Sequence, residues 1–457
     1  MKRVWVTGAV ILVLLLAGVI FFAPPFERTP PEVKLPPEGY IGAKAVLQIR
    51  AKDRRSGLKE VVVDLVQRGR RWTVYRKAFP RDTHEVEISL EIEPKKLGVM
   101  EGSCVLEVRA TDRSLWRLGH GNVGMAEGKF VVDWTPPRVE LLGNTRYVYL
   151  NGAGAALFRT SEDAFEAYAQ VGELLFQAYR KRDRRGSLWA VLFGVPQYAK
   201  GREVRLTVKD RAGNARTLLL PVHIVPRKVV RERVSLSEGF LREKVYPLLP
   251  PERQDLPPEE AFRAVNEIMR SRDDAEITRI ASSSSPLPLW EGAFSQMKNT
   301  EVTATFGDQR TYFYRGKMVG RSVHLGCDLA SVAHAPVPAS NRGRVIYTGP
   351  MGIYGNVVIL DHGLGLASLY AHLSHCTVKE GEEVKKGQVI GYTDTTGLAG
   401  GDHLHFAILL SGHPVNPIEW WDGKWLRERI VAVLSPFLGE GAKASEEAPS
   451  KAEGRRP

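Results

Sequence analysis

Short apolar runs alternating with polar residues at a period of two recur along this chain, and that periodicity restricts most of it to half-buried β-strands. Ala45-Val-Leu-Gln-Ile49, Val61-Val-Val-Asp-Leu65, Val86-Glu-Ile-Ser-Leu90, Val105-Leu-Glu-Val108 and Phe130-Val-Val132 are separated by turn residues. Trp134-Thr-Pro-Pro137 marks a boundary, after which a second set opens with Val139-Glu-Leu-Leu142 and Tyr147-Val-Tyr-Leu150. Many short strands with this punctuation predict β-sandwiches.

The run Val204-Arg-Leu-Thr-Val-Lys-Asp210-Arg-Ala-Gly213-Asn214 resembles the closing strand and tight turn of bacterial immunoglobulin-like modules. Ala51-Lys-Asp53-Arg-Arg-Ser-Gly57 and Val108-Arg-Ala-Thr-Asp112 are weaker versions of it. The resemblance implies immunoglobulin-like sandwiches over residues 38–135 and 136–227. Residues 161–180 fit an amphipathic helix in part, but Gly172 and the β-branched neighbours leave helix and strand both open.

Residues 4–23 carry no charge and follow Met1-Lys2-Arg3, so they are long and apolar enough to cross a bilayer with the N-terminus in the cytoplasm. A cleavable signal peptide is the rival. The apolar run is longer than such a peptide needs, and Pro24-Pro25 makes a poor cleavage junction, which favours a retained signal anchor over residues 1–23. Everything after it then lies outside the cytoplasmic membrane, in the periplasm or beyond. The Pro-rich stretch 24–37 reads as a stiff spacer. Residues 228–299 mix charged and apolar residues over helical lengths, with Pro257-Pro258-Glu259 at a first turn, and predict a helical connector. Glycine-punctuated strands return over 300–425. Residues 426–457 read as a helix and a tail that is disordered from about Gly439. The expected fold class is mainly β: one N-terminal transmembrane helix, two immunoglobulin-like sandwiches, a helical connector and a mostly antiparallel C-terminal β domain.

Lys and Arg outnumber Asp and Glu by 64 to 52 in the 457 residues, a net charge of +12 that suits an anionic polymer or a membrane surface. No dense basic block is interleaved with aromatics, so no nucleic-acid partner is expected. Three cysteines, Cys104, Cys327 and Cys376, make no disulfide framework for this length. Strand alternation turns Cys327 away from Asp328 and into the core, and pairing of Cys327 with Cys376 is left open.

Eight of the eleven histidines fall between His324 and His413. Residues two apart on a strand share a face, so His403 and His405 present both imidazoles to one side while Leu404 turns to the core. His324 and Asp328 add a nitrogen and an anionic oxygen, with Gly326 permitting a bend between them. Two histidines, a carboxylate and a water make a tetrahedral catalytic zinc site with one exchangeable position. Hydrolysis also requires a proton acceptor and an oxyanion donor, and His372 and one of His403 and His405 remain for them. Spacing alone does not say which of that pair ligates. Tyr370, two residues before His372, would share its face and orient it or touch substrate; cross-strand packing is the plainer alternative. His362 and His413 read as turn residues.

Residues 300–425 resemble the lysostaphin-type (LytM-like) zinc metallopeptidases that cut peptidoglycan peptides. The resemblance rests on Phe306-Gly307-Asp-Gln-Arg310, His324-x-Gly-x-Asp328-x-Ala330, Tyr370-Ala-His372-Leu, the loop Thr395-Thr-Gly397-Leu-Ala-Gly-Gly401 and His403-Leu-His405-Phe406, in the family's order. It implies one Zn²⁺ per chain held by His324, Asp328 and His405, with His372 and His403 as the catalytic pair. Arg310 becomes a candidate substrate contact, with a structural ion pair as the alternative. Cys327 stands where the family pattern has an aliphatic residue, and Ala407 where a glutamate is frequent. The implied partners are a peptidoglycan peptide, the inner membrane through residues 4–23, and a cell-envelope protein docked on the immunoglobulin-like modules. The rival function is a non-catalytic peptidoglycan-binding or amidase-activating scaffold, which retention of all five chemical residues disfavours. The segment Val378 to Gly391 resembles a biotin or lipoyl carrier hairpin, yet no lysine stands at a separate hairpin tip.

Overall fold

The computed structural model describes residues 11–13, 26–116 and 119–439. Apart from residues 11–13, the apolar stretch 4–23 lies outside the described residues, as does the tail beyond Gly439; no helix among the described residues is long and apolar enough to cross a membrane. The chain is mainly β with few helices and falls into two compact units, residues 1–137 with 209–215, and residues 138–208 with 216–457.

In the first unit a three-stranded sheet (Glu32–Lys34, Ala45–Lys52, Glu85–Ile92) and a five-stranded sheet (Gly39–Ile41, Val123–Val132, Gly102–Asp112, Leu58–Gln67, Arg70–Ala78) enclose one core containing Ile49, Leu65, Leu90 and Phe130. The alternation is realised residue by residue: Leu47, Ile49 and Ala51 are buried while Val46, Gln48 and Arg50 face outward. Within the expected spacer 24–37, the described residues 26–37 are not a free linker, because Glu32–Lys34 pairs antiparallel with Arg50–Lys52. The pairing places an edge strand between Pro30-Pro31 and Pro36-Pro37, where the prolines interrupt no central ladder.

The second unit corrects the expectation of a separate sandwich over 136–227. All the strands from Val139–Asn144 to Ala215–Leu219 except Tyr147–Tyr149 join in one seven-stranded sheet, and its Phe176, Trp189 and Phe193 share a single core with Phe406, Ile408, Trp420 and Phe437. The ambiguous stretch 161–180 is a hairpin, Ala164–Val171 with Leu174–Asp183. It turns at Gly172, whose φ is +59° and whose Cβ, were there one, would lie 2.6 Å from the Lys200 carbonyl oxygen. The connector is helical over Pro258–Arg263, Ala264–Met269 and Arg270–Ala281, but it opens with a strand, Arg231–Ser235, parallel to Gln309–Tyr314.

The C-terminal sheet runs Glu301–Ala304, Cys327–Ala330, Leu404–Leu410, Leu366–Cys376, Asn356–Gly363, Gly343–Pro350, Glu383–Val384, with every neighbouring pair antiparallel. Leu404–Leu410 is buried at every position, so this sheet requires cover on both faces. One face, with Leu404, Phe406 and Tyr370, packs in the core shared with the seven-stranded sheet and the C-terminal helical segment Ala432–Leu438. The other, with Leu369, Ala371, Ala407 and Leu409, packs on Ile277 and Ala281 of the connector.

Glu419 lies in the shared interior, accepting the Ala153 N–H at 2.9 Å and sitting 3.4 Å from Arg227. Burial nevertheless pushes its pKa from 4.5 up to about 7. Between these values the native state keeps a proton the unfolded chain has released, so this group makes stability fall as pH rises from 4.5 to about 7. Glu419→Gln is expected to remove about 2–4 kcal/mol of the fall between roughly pH 4.5 and 8, measured as the difference in urea-unfolding free energy from wild type. Identical pH slopes for the two proteins would count against it.

Candidate metal and hydrolytic site

Pairing of Cys327–Ala330 with Leu404–Leu410 sets Asp328 directly opposite His405, and pairing of Leu366–Cys376 with the same strand sets Ala371 on its other side. Asp328 and His405 thus project from one face, while Cys327, Leu329 and Leu404 are buried among core residues. His324 follows Lys317–Val323, its backbone fixed by hydrogen bonds with Gly307 and Asp308. His324 Nε2 lies 2.9 Å from Asp328 Oδ1 and 3.1 Å from His405 Nδ1, and the last two atoms are 2.9 Å apart. Four-coordinate zinc with bonds of about 2.0–2.1 Å sets its ligand atoms about 3.3 Å apart, so these three atoms fit one face of such a tetrahedron. A carboxylate and two imidazoles are also the donor set that a borderline ion takes.

Backbone carbonyls fix three of the four imidazoles. His324 Nδ1 lies 3.0 Å from the Thr305 oxygen, His372 Nδ1 2.7 Å from Thr396, and His403 Nδ1 2.8 Å from Gly401. A carbonyl only accepts, so each Nδ1 carries the hydrogen and each Nε2 is left with its lone pair when the ring is neutral. His405 is reversed: Nδ1 faces the other ligands, and its buried Nε2 has no hydrogen-bond partner among the described residues. Packing holds that ring instead. A Cβ on Gly326 would stand 2.6 Å from His405 Cε1 and Nε2, so the glycine serves close approach rather than the expected bend.

His372 reaches the site through a bulge. Val358 opposes Tyr370 and Asn356 opposes Leu373, so the Leu366–Cys376 strand carries one extra residue there, and His372 has φ +62°. Regular alternation would have sent His372 to the Tyr370 side; the left-handed residue turns it beside His403, with ring centroids 4.9 Å apart. Tyr370 therefore does not share the face of His372. It is buried against Phe406, accepts hydrogen bonds from Ser340 N and Ser368 Oγ, and is absent from the groove wall.

Burial opposes ionisation of Asp328, but His324, His403 and His405 override it and hold the carboxyl well below its usual range. Burial lowers His372 to about 3, helped by the neighbouring imidazoles, and lowers His405 to about 4. His403 goes the other way: burial works against it, yet its contact with Asp328, Nε2 to Oδ1 at 3.6 Å, raises its pKa. Arg310 has both its interactions inside the protein, with Glu232 at 3.2 Å and with Asp328 Oδ2 at 3.5 Å, so it steadies the carboxylate. His362, placed at a turn by sequence, is buried within Asn356–Gly363, bonded to Arg342 O and Ser368 Oγ. Cys327 and Cys376 are unpaired thiols.

The five residues line a groove of about 390 Å³ together with Arg270, Tyr354 and Gly400. Sequence reasoning missed the Thr305, Thr396 and Gly401 carbonyls, because a backbone oxygen has no side-chain signature. It also missed Arg270 and Tyr354, which tertiary packing alone brings to the groove.

Residues 322–417 match the model of peptidase family M23. The chain is 38% identical over 123 residues to the DD-carboxypeptidase/endopeptidase Mpg of Neisseria meningitidis serogroup B, covering 27% of this chain and 26% of Mpg. It is 38% identical over 96 residues to the peptidoglycan DD-endopeptidase ShyA of Vibrio cholerae serotype O1, covering 21% and 22%. With the lipoprotein NlpD of Yersinia enterocolitica it shares 39% over 94 residues, 20% of this chain and 96% of that one. The matched region spans about a quarter of the length of Mpg and ShyA.

Gly326→Ala is expected to push the His405 ring aside and weaken zinc binding by about 10- to 100-fold, the usual consequence of disturbing what orients a ligand. Chelator competition on the folded variant measures it; wild-type affinity would remove the packing role assigned to this glycine.

Proposed function

Because the chain belongs to peptidase family M23, we propose that it is a membrane-anchored zinc endopeptidase that hydrolyses peptide bonds of peptidoglycan stems or crosslinks. The observation that carries this reading is the convergence of His324, Asp328 and His405 within 3.1 Å of one another, beside two further histidines whose Nδ1 atoms are held by backbone carbonyls. The names of Mpg and ShyA support a D,D-configured bond as the target.

His324, Asp328 and His405 would hold the zinc, which when bound would supply Lewis acidity for the scissile carbonyl and lower the pKa of a water into the neutral range. The protein's own groups do the rest. His372, fixed by the Thr396 carbonyl, offers Nε2 as proton acceptor. His403, whose Nε2 is 3.6 Å from the Asp328 carboxylate, is placed to carry a proton and donate to the developing oxyanion. Arg310 keeps Asp328 Oδ2 occupied, leaving Oδ1 for the metal. Residues 4–23 anchor the chain in the cytoplasmic membrane with its body on the periplasmic side, and the two-sheet body of residues 38–135 is an immunoglobulin-like module that spaces the enzyme or docks an envelope protein.

The full chain in detergent, loaded with zinc, is expected to release new muropeptides from purified peptidoglycan, detected by mass spectrometry. His372→Ala should retain stoichiometric zinc and lose about 10²- to 10⁴-fold in rate, the contribution of a positioned acid or base. No products from wild type, or unchanged products from His372→Ala, would refute the enzyme and favour a scaffold.

A further inference from the structure

Arg270 opens the connector helix Arg270–Ala281, outside the family-matched region 322–417, and lines the same groove as the histidines and Asp328. Its guanidinium is pinned from behind: Nε donates to the Asn266 carbonyl at 3.1 Å and Nη2 to Asn266 Oδ1 at 3.2 Å. Asn266 is itself 1% exposed and donates Nδ2 to the Arg321 carbonyl at 3.0 Å, so the support is fixed. No carboxylate among the described residues forms an ion pair with Arg270. The two acids next on its helix, Asp273 and Asp274, feel the Arg270 charge but take their hydrogen bonds from the Ile353 N–H and the Tyr354 hydroxyl. The contrast is Arg310, the groove's other arginine, which Glu232 and Asp328 already engage.

An arginine held by partly buried hydrogen bonds with one edge of its fork unused is preorganised to accept a planar anion. The groove it shares with the metal ligands encloses about 390 Å³. Arg270 and the histidines line this one groove, so a peptide lying across the histidines also passes Arg270. An anion meeting Arg270 therefore belongs to a residue flanking the bond that lies at the histidines.

We infer that Arg270 is a specificity-determining residue that receives a free carboxylate on the residue flanking the scissile bond. This rests on the peptidase reading for its substrate, and its chemistry is a charge-assisted pair between guanidinium and carboxylate. Two sources supply that group in a stem peptide, the C-terminus and a side-chain or branch carboxyl. A substrate with a free acid there is held in register with the metal centre, whereas an amidated one is not.

The test uses the full-length, zinc-loaded His372→Ala chain, so binding is measured without turnover, and three synthetic stem pentapeptides: free acid, C-terminal amide, and side-chain amide. Calorimetry should show the free acid binding about 10- to 100-fold more tightly than one of the two amides, the worth of a hydrogen bond to a charged group. Whichever amide is weakened identifies the source. Arg270→Gln in the same background should bind all three alike, and Arg270→Lys, which keeps the charge but not the fork, should retain a reduced preference. Equal affinities in the parent, or a preference that survives Arg270→Gln, overturns the inference. If acid and amide are distinguished through Arg270 but the wild-type chain releases no products from purified peptidoglycan, the peptidase reading fails and the carboxylate site stands.

Discussion

The arrangement depends on one buried carboxylate. Asp328 Oδ1 is 2.9 Å from a nitrogen of His324 and 2.9 Å from a nitrogen of His405, with all three side chains largely buried at the groove wall. Nitrogen lone pairs aimed at an anion repel it unless a proton or a cation lies between them, so the cluster is a poor interior by itself. The ladder that sets Asp328 opposite His405 and the Thr305 carbonyl that fixes His324 hold the atoms together. Locally unfavourable, globally enforced geometry of this kind marks a functional site.

Legibility in the sequence followed periodicity and stopped where periodicity breaks. The strands of 38–135 and the shared face of His403 and His405 were readable because a half-buried strand repeats every two residues. Tyr370 was misplaced by the same rule, since the bulge at His372 inserts a residue and reverses the alternation after Ala371. No residue type announces that bulge; a histidine at φ +62° is tolerated only because its surroundings impose it. Glu32–Lys34 was hidden for the opposite reason, as prolines on both sides suggest an extended linker and an edge strand is extended too.

Failure of the bead-on-a-string expectation has a cause visible in Phe406-Ala-Ile-Leu-Leu410. A strand buried on both faces has no polar alternation, so nothing in it says which element covers each face. The seven-stranded sheet and the C-terminal helical segment cover one, and the connector covers the other. Residues of 138–208 thus belong to the interior that supports the site, which propensity and punctuation do not reveal.

Two-sided cover also decides which parts of the chain can shape the groove. Because the Leu369, Ala407 and Leu409 face is packed under Ile277 and Ala281, the helix that begins at Arg270 is held against the same sheet that carries His405. Residues well outside the matched region 322–417 are consequently part of the groove wall. The groove wall is therefore built from different stretches of one packed body: the β ladder places Asp328 and His405, and the helix covering that sheet places Arg270.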